Sequence, residues 1–316
     1  MQNDDDLVRK SIEDLTRIYE LHLAKTGGAA GGNVQQPTQF RPEIDTTTAA
    51  GGLPVTPPLD VVLLTALSDE YQELMRVLPP RYQDTIRLGL WFDFVKLPSP
   101  TGDVSVACVN IDGMGPVKAA IATTKVIVTL RPKLAILVGI CASGQDDVAL
   151  GDVVVAERAY DYDSGKLLNG EFLPEYEPIE IQPSVRTIIS HYCTNHALAQ
   201  RISAEFTYLA GKPANPPAFR LGTFASGSKV LADKDYVASI KKHNRKIHGI
   251  DMEVYAFYRA CWEAAVTKTI FLAVKSVQDK AGSDKADDYR QYCSYAAACF
   301  VKSFISDNGS ALWLNA

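Results

Sequence analysis

Three acidic residues come a few positions after apolar segments of the sequence. They are Glu70, Glu253 and Asp279, and each stands where an apolar run gives way to polar residues. Carboxyl groups donate and accept protons and bind hydroxyl groups, so such a set suits general acid–base catalysis. Acidic residues also favour the first turn of a helix for electrostatic reasons alone. A catalytic interpretation therefore requires a fold that brings the three side chains together.

Two glycine-rich segments stand in comparable places. Gly113 and Gly115 precede a predicted helix, and the run Ala142, Ser143, Gly144 follows another apolar segment. Glycines leave backbone N–H groups accessible, and N–H groups at the start of a helix bind anions. Tight turns produce the same pattern, so the glycines alone leave both interpretations open.

Strands and helices alternate in the predicted secondary structure. Mainly apolar runs are typical of strands buried on both faces, and they occupy residues 60–66, 133–140, 152–160 and 269–277. Helices are predicted over 116–130, 184–204, 232–243, 253–266 and 287–305. This order predicts an α/β fold, with a mixed, mainly parallel twisted central sheet and helices on both faces of a single domain. Reactive groups of such sheets gather at the carboxyl ends of the strands.

The chain divides into four predicted regions. Residues 1–25 show helical spacing of apolar residues, and we expect an amphipathic helix that binds a partner protein or packs on the same domain or on a second subunit. Residues 26–58, rich in Gly, Pro, Thr and Gln, are predicted to be a flexible linker. The domain itself is predicted over 59–306, followed by a C-terminal tail at 307–316.

Composition excludes several classes of protein. Apolar residues make up 47% of the 316 residues, which excludes disorder by composition. A net charge of −5 argues against nucleic-acid binding, which needs a cationic surface. No apolar run approaches the roughly 20 residues that cross a bilayer, and we expect a cytoplasmic protein. The 6 cysteines form no C-x-x-C pair, so no metal site, disulfide framework or cofactor is predicted.

Five motifs occur in a fixed order along the chain: TALSDE, GMG, VGICASGQDDVALGDVVVA, IDMEV and SVQD. This order resembles the nucleoside phosphorylase superfamily, in particular methylthioadenosine/S-adenosylhomocysteine nucleosidase, from about residue 59 to 306. The segment DYDSGK (161–166) resembles a bacterial subgroup, and some of its relatives in antiviral systems hydrolyse nucleotides such as ATP at the glycosidic bond. The resemblance implies an N-ribosyl hydrolase that frees adenine from a nucleoside or nucleotide.

The resemblance also implies a role for each acidic residue. Asp279 matches the acid that protonates N7 of the base, and Glu253 matches the acceptor of hydrogen bonds from the ribose hydroxyls. Met252 is expected to pack on the sugar. Glu70 matches the carboxylate that activates water. Asp69, one position earlier in the sequence, is the alternative match.

Further substrate contacts are expected around these residues. Gln278 departs from the serine that is usual before the acid, and Asp251 is expected to be peripheral. Lys118, Arg220, Lys229 and Lys275 are interpreted as surface charges or as ligands of a 5′-phosphate. The remaining residues expected to bind substrate are Gly113, Gly115, Ala142, Ser143, Gly144, Tyr160 and Val230.

Two other functions remain open at this point: a phosphorylase that uses inorganic phosphate, and a non-catalytic module that senses a nucleotide. The 5′ group of the ligand is also open, between a thioether nucleoside and AMP, ADP or ATP. Because family members usually complete the 5′ pocket with a neighbouring subunit, we expect a homodimer or larger homo-oligomer.

Overall fold

A computed structural model gives the structure of the protein. It describes residues 59–208, 211–231, 233–244, 246–264, 269–281, 287–309 and 311–314. The predicted N-terminal helix (1–25) and linker (26–58) lie outside the described residues. None of the helices in the described ranges combines the length and apolar character needed to span a membrane.

Strands and helices alternate as predicted. The described strands are β1 (Val61–Thr65), β2 (Gln83–Arg87), β3 (Leu90–Leu97), β4 (Val104–Asn110), β5 (Leu134–Ser143), β6 (Val153–Asp161), β7 (Gly165–Leu168), β8 (Glu171–Pro174), β9 (Ile179–Glu180), β10 (Phe219–Ser226), β11 (Ile247–Asp251) and β12 (Ile270–Asp279). The described helices are α1 (Ser68–Val77), α2 (Pro116–Leu130), α3 (Pro183–Tyr192), α4 (His196–Glu205), α5 (Lys234–His243), α6 (Val254–Glu263), α7 (Arg290–Asn308) and α8 (Ala311–Leu314). A 3₁₀ turn, Asp287–Tyr289, precedes α7.

The central sheet contains two groups of parallel strands. Its order is β11-β10-β6-β12-β5-β1-β4-β3-β2. Strands β4, β1, β5 and β12 run parallel, and β6, β10 and β11 form a second parallel group that meets β12 in an antiparallel pairing. At its end β5 also pairs with β11, Ala142 opposite Ile250, so the carboxyl ends of these two strands meet. The predicted α/β fold with a mixed, mainly parallel sheet is confirmed.

Apolar side chains of β1, β5, β6 and β12 fill the core, where the interior residues of these strands are almost completely buried. Helix α1 packs against α7, and α2 packs against α6. These two helix pairs cover the sheet and fix the loops at the ends of its strands. Burial on both faces explains why the sequences of these strands are mainly apolar and do not alternate with polar residues.

The predicted helix over 184–204 is in fact two helices. The side chain of Asn195 accepts a hydrogen bond from the Leu198 N–H at 3.0 Å and thereby caps the start of α4. Asparagine is a favoured N-cap residue because its side chain satisfies an unpaired N–H of the first turn. The chain therefore turns between α3 and α4.

The C-terminal boundary also differs from the prediction of a tail at 307–316. Helix α7 continues to Asn308, and the short helix α8 follows. Leu312 is buried, and Trp313 packs against the same apolar core. The described residues after 306 are therefore part of the folded domain, because their apolar side chains have core contacts.

Candidate active site

A cavity of about 310 Å³ lies among the loops that follow β1, β4, β10, β11 and β12. Most of the residues predicted to bind substrate line this cavity. They are Glu70, Ala142, Val230, Met252, Glu253, Gln278 and Asp279. The fold thus brings the three predicted acidic residues to one place, although they are far apart in the sequence.

Glu70 is held by backbone N–H groups on both oxygens. Oε2 accepts hydrogen bonds from Ala66 and Leu67, each at 2.9 Å, and Oε1 accepts one from Ile140 at 2.9 Å. A Cβ on Gly139 would lie 2.2 Å from Oε1, so only glycine leaves room for this carboxylate. Burial raises the pKa of Glu70 above its usual value, although Lys275 and the N–H groups of Leu67 and Ile140 act in the opposite direction.

Asp69, the alternative to Glu70 as the water-activating carboxylate, has different contacts. It is about half exposed and forms an ion pair with Arg290, with Nε 2.5 Å from Oδ2. It is not among the residues that line the cavity, whereas Glu70 is. The geometry thus favours Glu70 for the role of the carboxylate at the cavity.

Glu253 connects two distant loops. It is the N-cap residue of α6, and its Oε1 accepts a hydrogen bond from the Gly115 N–H at 3.0 Å. Its Oε2 lies 3.3 Å from the Nζ of Lys275. Gly113 donates its N–H to the Ala66 carbonyl at 2.9 Å. The N–H groups predicted to be free for an anion are therefore engaged, and the anion that Gly115 binds is the Glu253 carboxylate.

Lys275 and Asp251 form the buried centre of this network, contrary to both predictions for them. Lys275 is fully buried in β12, with Nζ 3.4 Å from Asp251 Oδ2. Burial lowers the pKa of Lys275, but Glu253, Asp251 and Glu70 outweigh it and raise the pKa above its usual value. Asp251, expected to be peripheral, also accepts hydrogen bonds from the Ser226 hydroxyl at 2.7 Å and from the Val254 N–H at 3.0 Å. Lys275 is therefore an internal cation and neither a surface charge nor a phosphate ligand.

Replacing Lys275 by methionine is expected to destabilise the protein by about 3–5 kcal/mol, because it leaves two buried carboxylates without their cation. Denaturant unfolding monitored by circular dichroism measures this loss. The matched control is Lys133→Met, which removes the half-exposed partner of Asp60. This control is expected to cost no more than about 1 kcal/mol. Equal losses in the two variants would contradict the assigned role of Lys275.

Asp279 ends β12 and is buried at the cavity. Its Oδ1 accepts a hydrogen bond from the Ala281 N–H at 2.9 Å, and its Oδ2 accepts one from the Gln278 side-chain amide at 3.2 Å. The glutamine that stands where serine is usual therefore contacts the acid directly. These two bonds fix the orientation of the carboxyl group in the cavity wall.

Five predicted substrate residues are not among those that line the cavity: Gly113 and Gly115, whose contacts are given above, and Ser143, Gly144 and Tyr160. The Ser143 hydroxyl donates to the Gln145 carbonyl at 2.5 Å, and the Gly144 N–H donates to the His248 carbonyl at 3.0 Å. These contacts stabilise the turn after β5. Tyr160 is buried in a separate apolar cluster beneath α5, with its ring centroid 4.9 Å from that of Tyr176.

The other cations considered for a 5′-phosphate also have protein partners. Arg220 pairs with Asp152 at 3.0 Å, and Lys118 donates to the Asp112 carbonyl at 2.7 Å. Lys229 does line the cavity and pairs with Asp163. Arg290, which lines the cavity as well, was missed because nothing in its local sequence distinguishes it from other helix-start residues.

Comparison with known proteins places these observations in a family. Residues 60–306 match the profile described as the Phosphorylase superfamily. The uncharacterised protein y4jS of Sinorhizobium fredii (strain NBRC 101917 / NGR234) is 32% identical over 199 residues, which are 62% of this chain and 48% of that protein. ATP nucleosidase Cap17 of Escherichia coli (strain KTE188) is 25% identical over 258 residues, which are 78% of this chain and 50% of that protein. The chain thus spans about half the length of these two relatives.

A solved structure shares the fold. The 5′-methylthioadenosine/S-adenosylhomocysteine nucleosidase of Colwellia psychrerythraea 34H, in complex with adenine, has a TM-score of 0.63 at 18% identity, covering 78% of this chain and 95% of that one. The sequence match covers residues 60–306, and the similarity of fold covers 78% of the chain. The chain belongs to the Phosphorylase superfamily, whose members are nucleosidases and phosphorylases that act on N-glycosidic bonds.

Proposed function

We propose that this protein is an N-ribosyl hydrolase that releases adenine from an adenine nucleoside or nucleotide. The observation that carries the proposal is the convergence of Glu70, Glu253 and Asp279 on one cavity. Each carboxylate has a fixed orientation, because backbone or side-chain donors bind it. Fixed acidic groups around a small cavity suit a reaction that develops positive charge on a sugar.

Each acidic group has one task in the proposed reaction. The bond between C1′ of the ribose and N9 of adenine breaks, and its electron pair leaves with the base. Asp279 gives a proton to N7, which makes the base a better leaving group. Glu253 accepts hydrogen bonds from the ribose hydroxyls and stabilises the cationic sugar. Glu70 takes a proton from the water that attacks C1′.

The charges around the cavity favour water over phosphate as the nucleophile. Glu70, Asp251, Glu253 and Asp279 all line the cavity, and Lys229 and Arg290 do so as well. In the proposed reaction the nucleophile lies beside the carboxylate of Glu70. An inorganic phosphate anion next to it would be repelled, whereas a water molecule would be hydrogen-bonded.

Incubation of the pure protein with a panel of adenine nucleosides and nucleotides tests the proposal. Free adenine, measured by chromatography, is expected with equal yield in the presence and absence of inorganic phosphate. Release that requires phosphate would instead identify a phosphorylase. Tight binding without any release of base would identify a module that senses a nucleotide.

We also propose that the protein assembles into a homodimer. Apolar side chains that are about half or more exposed lie on α2 and on the hairpin of β2 and β3, and the Lys125 ammonium joins the two elements by a hydrogen bond to the Leu88 carbonyl at 3.1 Å. We call this set the α2 patch. Its members are Ile86, Leu88, Trp91, Val117 and Ile121. Several exposed apolar side chains on two neighbouring elements are typical of an interaction site.

Light scattering is expected to give the mass of a dimer for the wild type. Ile121→Glu places a charge in the α2 patch and should shift the protein towards monomer. Leu167→Glu, a charge at an apolar position on β7 that is 72% exposed against 53% for Ile121, is the control and should stay dimeric. A monomeric wild type with full activity would refute the assembly.

A further inference from the structure

We propose that Arg290 binds the 5′-phosphate of the substrate, so that the protein acts on nucleoside 5′-phosphates in preference to nucleosides with an uncharged 5′ group. This inference rests on the proposed function, because it concerns the 5′ end of the same substrate. It is carried by the place of Arg290 in the cavity, by its ion pair with Asp69 and by the charges around it.

The order of strands in the sheet places Arg290 on the ribose side of the cavity. Gln278 and Asp279 are the last residues of β12, whereas Glu70 and Met114 follow β1 and β4, on the other side of β5. Arg290 pairs with Asp69, the neighbour of Glu70 in α1. A purine bound at Asp279 and a ribose bound beside Glu70 therefore direct the 5′ carbon away from the base, towards the β1 side where Arg290 lies.

The contact between Arg290 and Asp69 is one that a phosphate can replace. The Asp69 carboxylate presents an anionic oxygen to the guanidinium at 2.5 Å, as a phosphate oxygen does. Asp69 has a side chain that is 49% exposed, so it can turn into water when a ligand arrives. Exchange of an exposed carboxylate for a phosphate leaves the guanidinium paired, while water solvates the released Asp69 carboxylate.

Lys229, the other cation that lines the cavity, is less suited to this exchange. Its partner Asp163 is mostly buried and also accepts hydrogen bonds from the Ser228 N–H and hydroxyl, both at 2.8 Å, and from the Tyr236 hydroxyl at 3.2 Å. Displacement of Asp163 would break all of these bonds. The comparison therefore selects Arg290.

The charges around the cavity also support the binding of phosphate by Arg290. Lys275 compensates Asp251 and Glu253 from inside the protein, but Glu70 lines the cavity and its neighbour Asp69 lies close by, in contact with Arg290. A phosphate that approaches these carboxylates is repelled unless a cation lies with them. Arg290 supplies that charge, and its planar guanidinium suits bidentate binding of phosphate.

Two variants of the same ion pair test the inference in opposite directions. The ratio of kcat/KM for AMP to kcat/KM for methylthioadenosine is measured in each. Arg290→Gln is expected to lower this ratio about 10- to 100-fold, the effect of losing charge-assisted hydrogen bonds. Asp69→Asn removes the competing anion and is expected to raise the ratio several-fold. Arg186→Gln, which breaks the exposed pair with Glu157, is the matched control and should leave the ratio unchanged.

Failure of the inference and failure of the proposed function give different results. If Arg290→Gln reduces kcat/KM for both substrates equally, Arg290 acts through packing, and the inference is wrong although the hydrolase stands. If the wild type releases adenine from no substrate, the proposed function is wrong. Calorimetric titration with AMP and with adenosine then decides the inference separately, because only AMP binding should weaken in Arg290→Gln.

Discussion

Asp279→Asn is expected to lower the release of adenine about 10²-fold or more, the scale of general acid catalysis. Asparagine has nearly the same size, and its carbonyl can still accept the hydrogen bond from the Ala281 N–H. An amide cannot pass a proton to N7, however, so the base must leave as an anion. Steady-state release of adenine from the best substrate, measured beside the melting temperature, separates this chemical loss from unfolding.

The same variant should change the selectivity for the base. One oxygen of Asp279 protonates N7 while the other accepts from the 6-amino group of adenine, and hypoxanthine offers an acceptor at position 6. An unpaired buried polar group costs about 1–3 kcal/mol, which corresponds to roughly 10- to 100-fold discrimination. Asp279→Asn should reduce this discrimination between adenine and hypoxanthine substrates, because the NH₂ group of asparagine can donate to O6 of hypoxanthine. Asp147→Asn, which alters an exposed carboxylate paired with Arg220, is the control. Adenine release at the wild-type rate in Asp279→Asn would show that the proton comes from another group.

The sequence was sufficient to predict the alternation of strands and helices and the convergence of the three acidic residues. Their order along the chain matched the ends of β1, β11 and β12, and buried strands are recognisable from mainly apolar runs. Tyr160 shows the limit of this reasoning. It lies near the end of β6, but its ring packs against Tyr176 and within the apolar cluster beneath α5. The local sequence does not show how a side chain near a strand end packs, because that depends on contacts with residues distant in the chain.

The network around Lys275 could not be predicted because it depends on contacts between strands. A lysine within the apolar run of β12 was visible in the sequence, but its burial is tolerable only because Asp251 and Glu253 arrive from β11 and the start of α6. Pairing of this kind depends on sheet order, which a single sequence does not encode locally. Asp251 was judged peripheral for the same reason.

Glu70→Gln is expected to retain substrate binding and to lose turnover about 10²-fold or more, since an amide cannot take a proton from water. The Gln side chain fits the space beside Gly139, although one of its contacts with the Ala66, Leu67 and Ile140 N–H groups must weaken. Glu73→Gln lies one turn later on the same helix, does not line the cavity and serves as the matched control.

The pH profile gives an independent test of Glu70. Only the ionised carboxylate can act as a base, and burial raises the pKa of Glu70 above the usual value for a glutamate. The protonated, inactive form therefore persists to higher pH, and kcat/KM should begin to fall at a pH above the range of an exposed glutamate as the solution is acidified. If Glu70→Gln keeps near-normal turnover and the same fall of kcat/KM at acidic pH, the base is another group. Asp69 or a bound phosphate then takes the place of Glu70 in the mechanism.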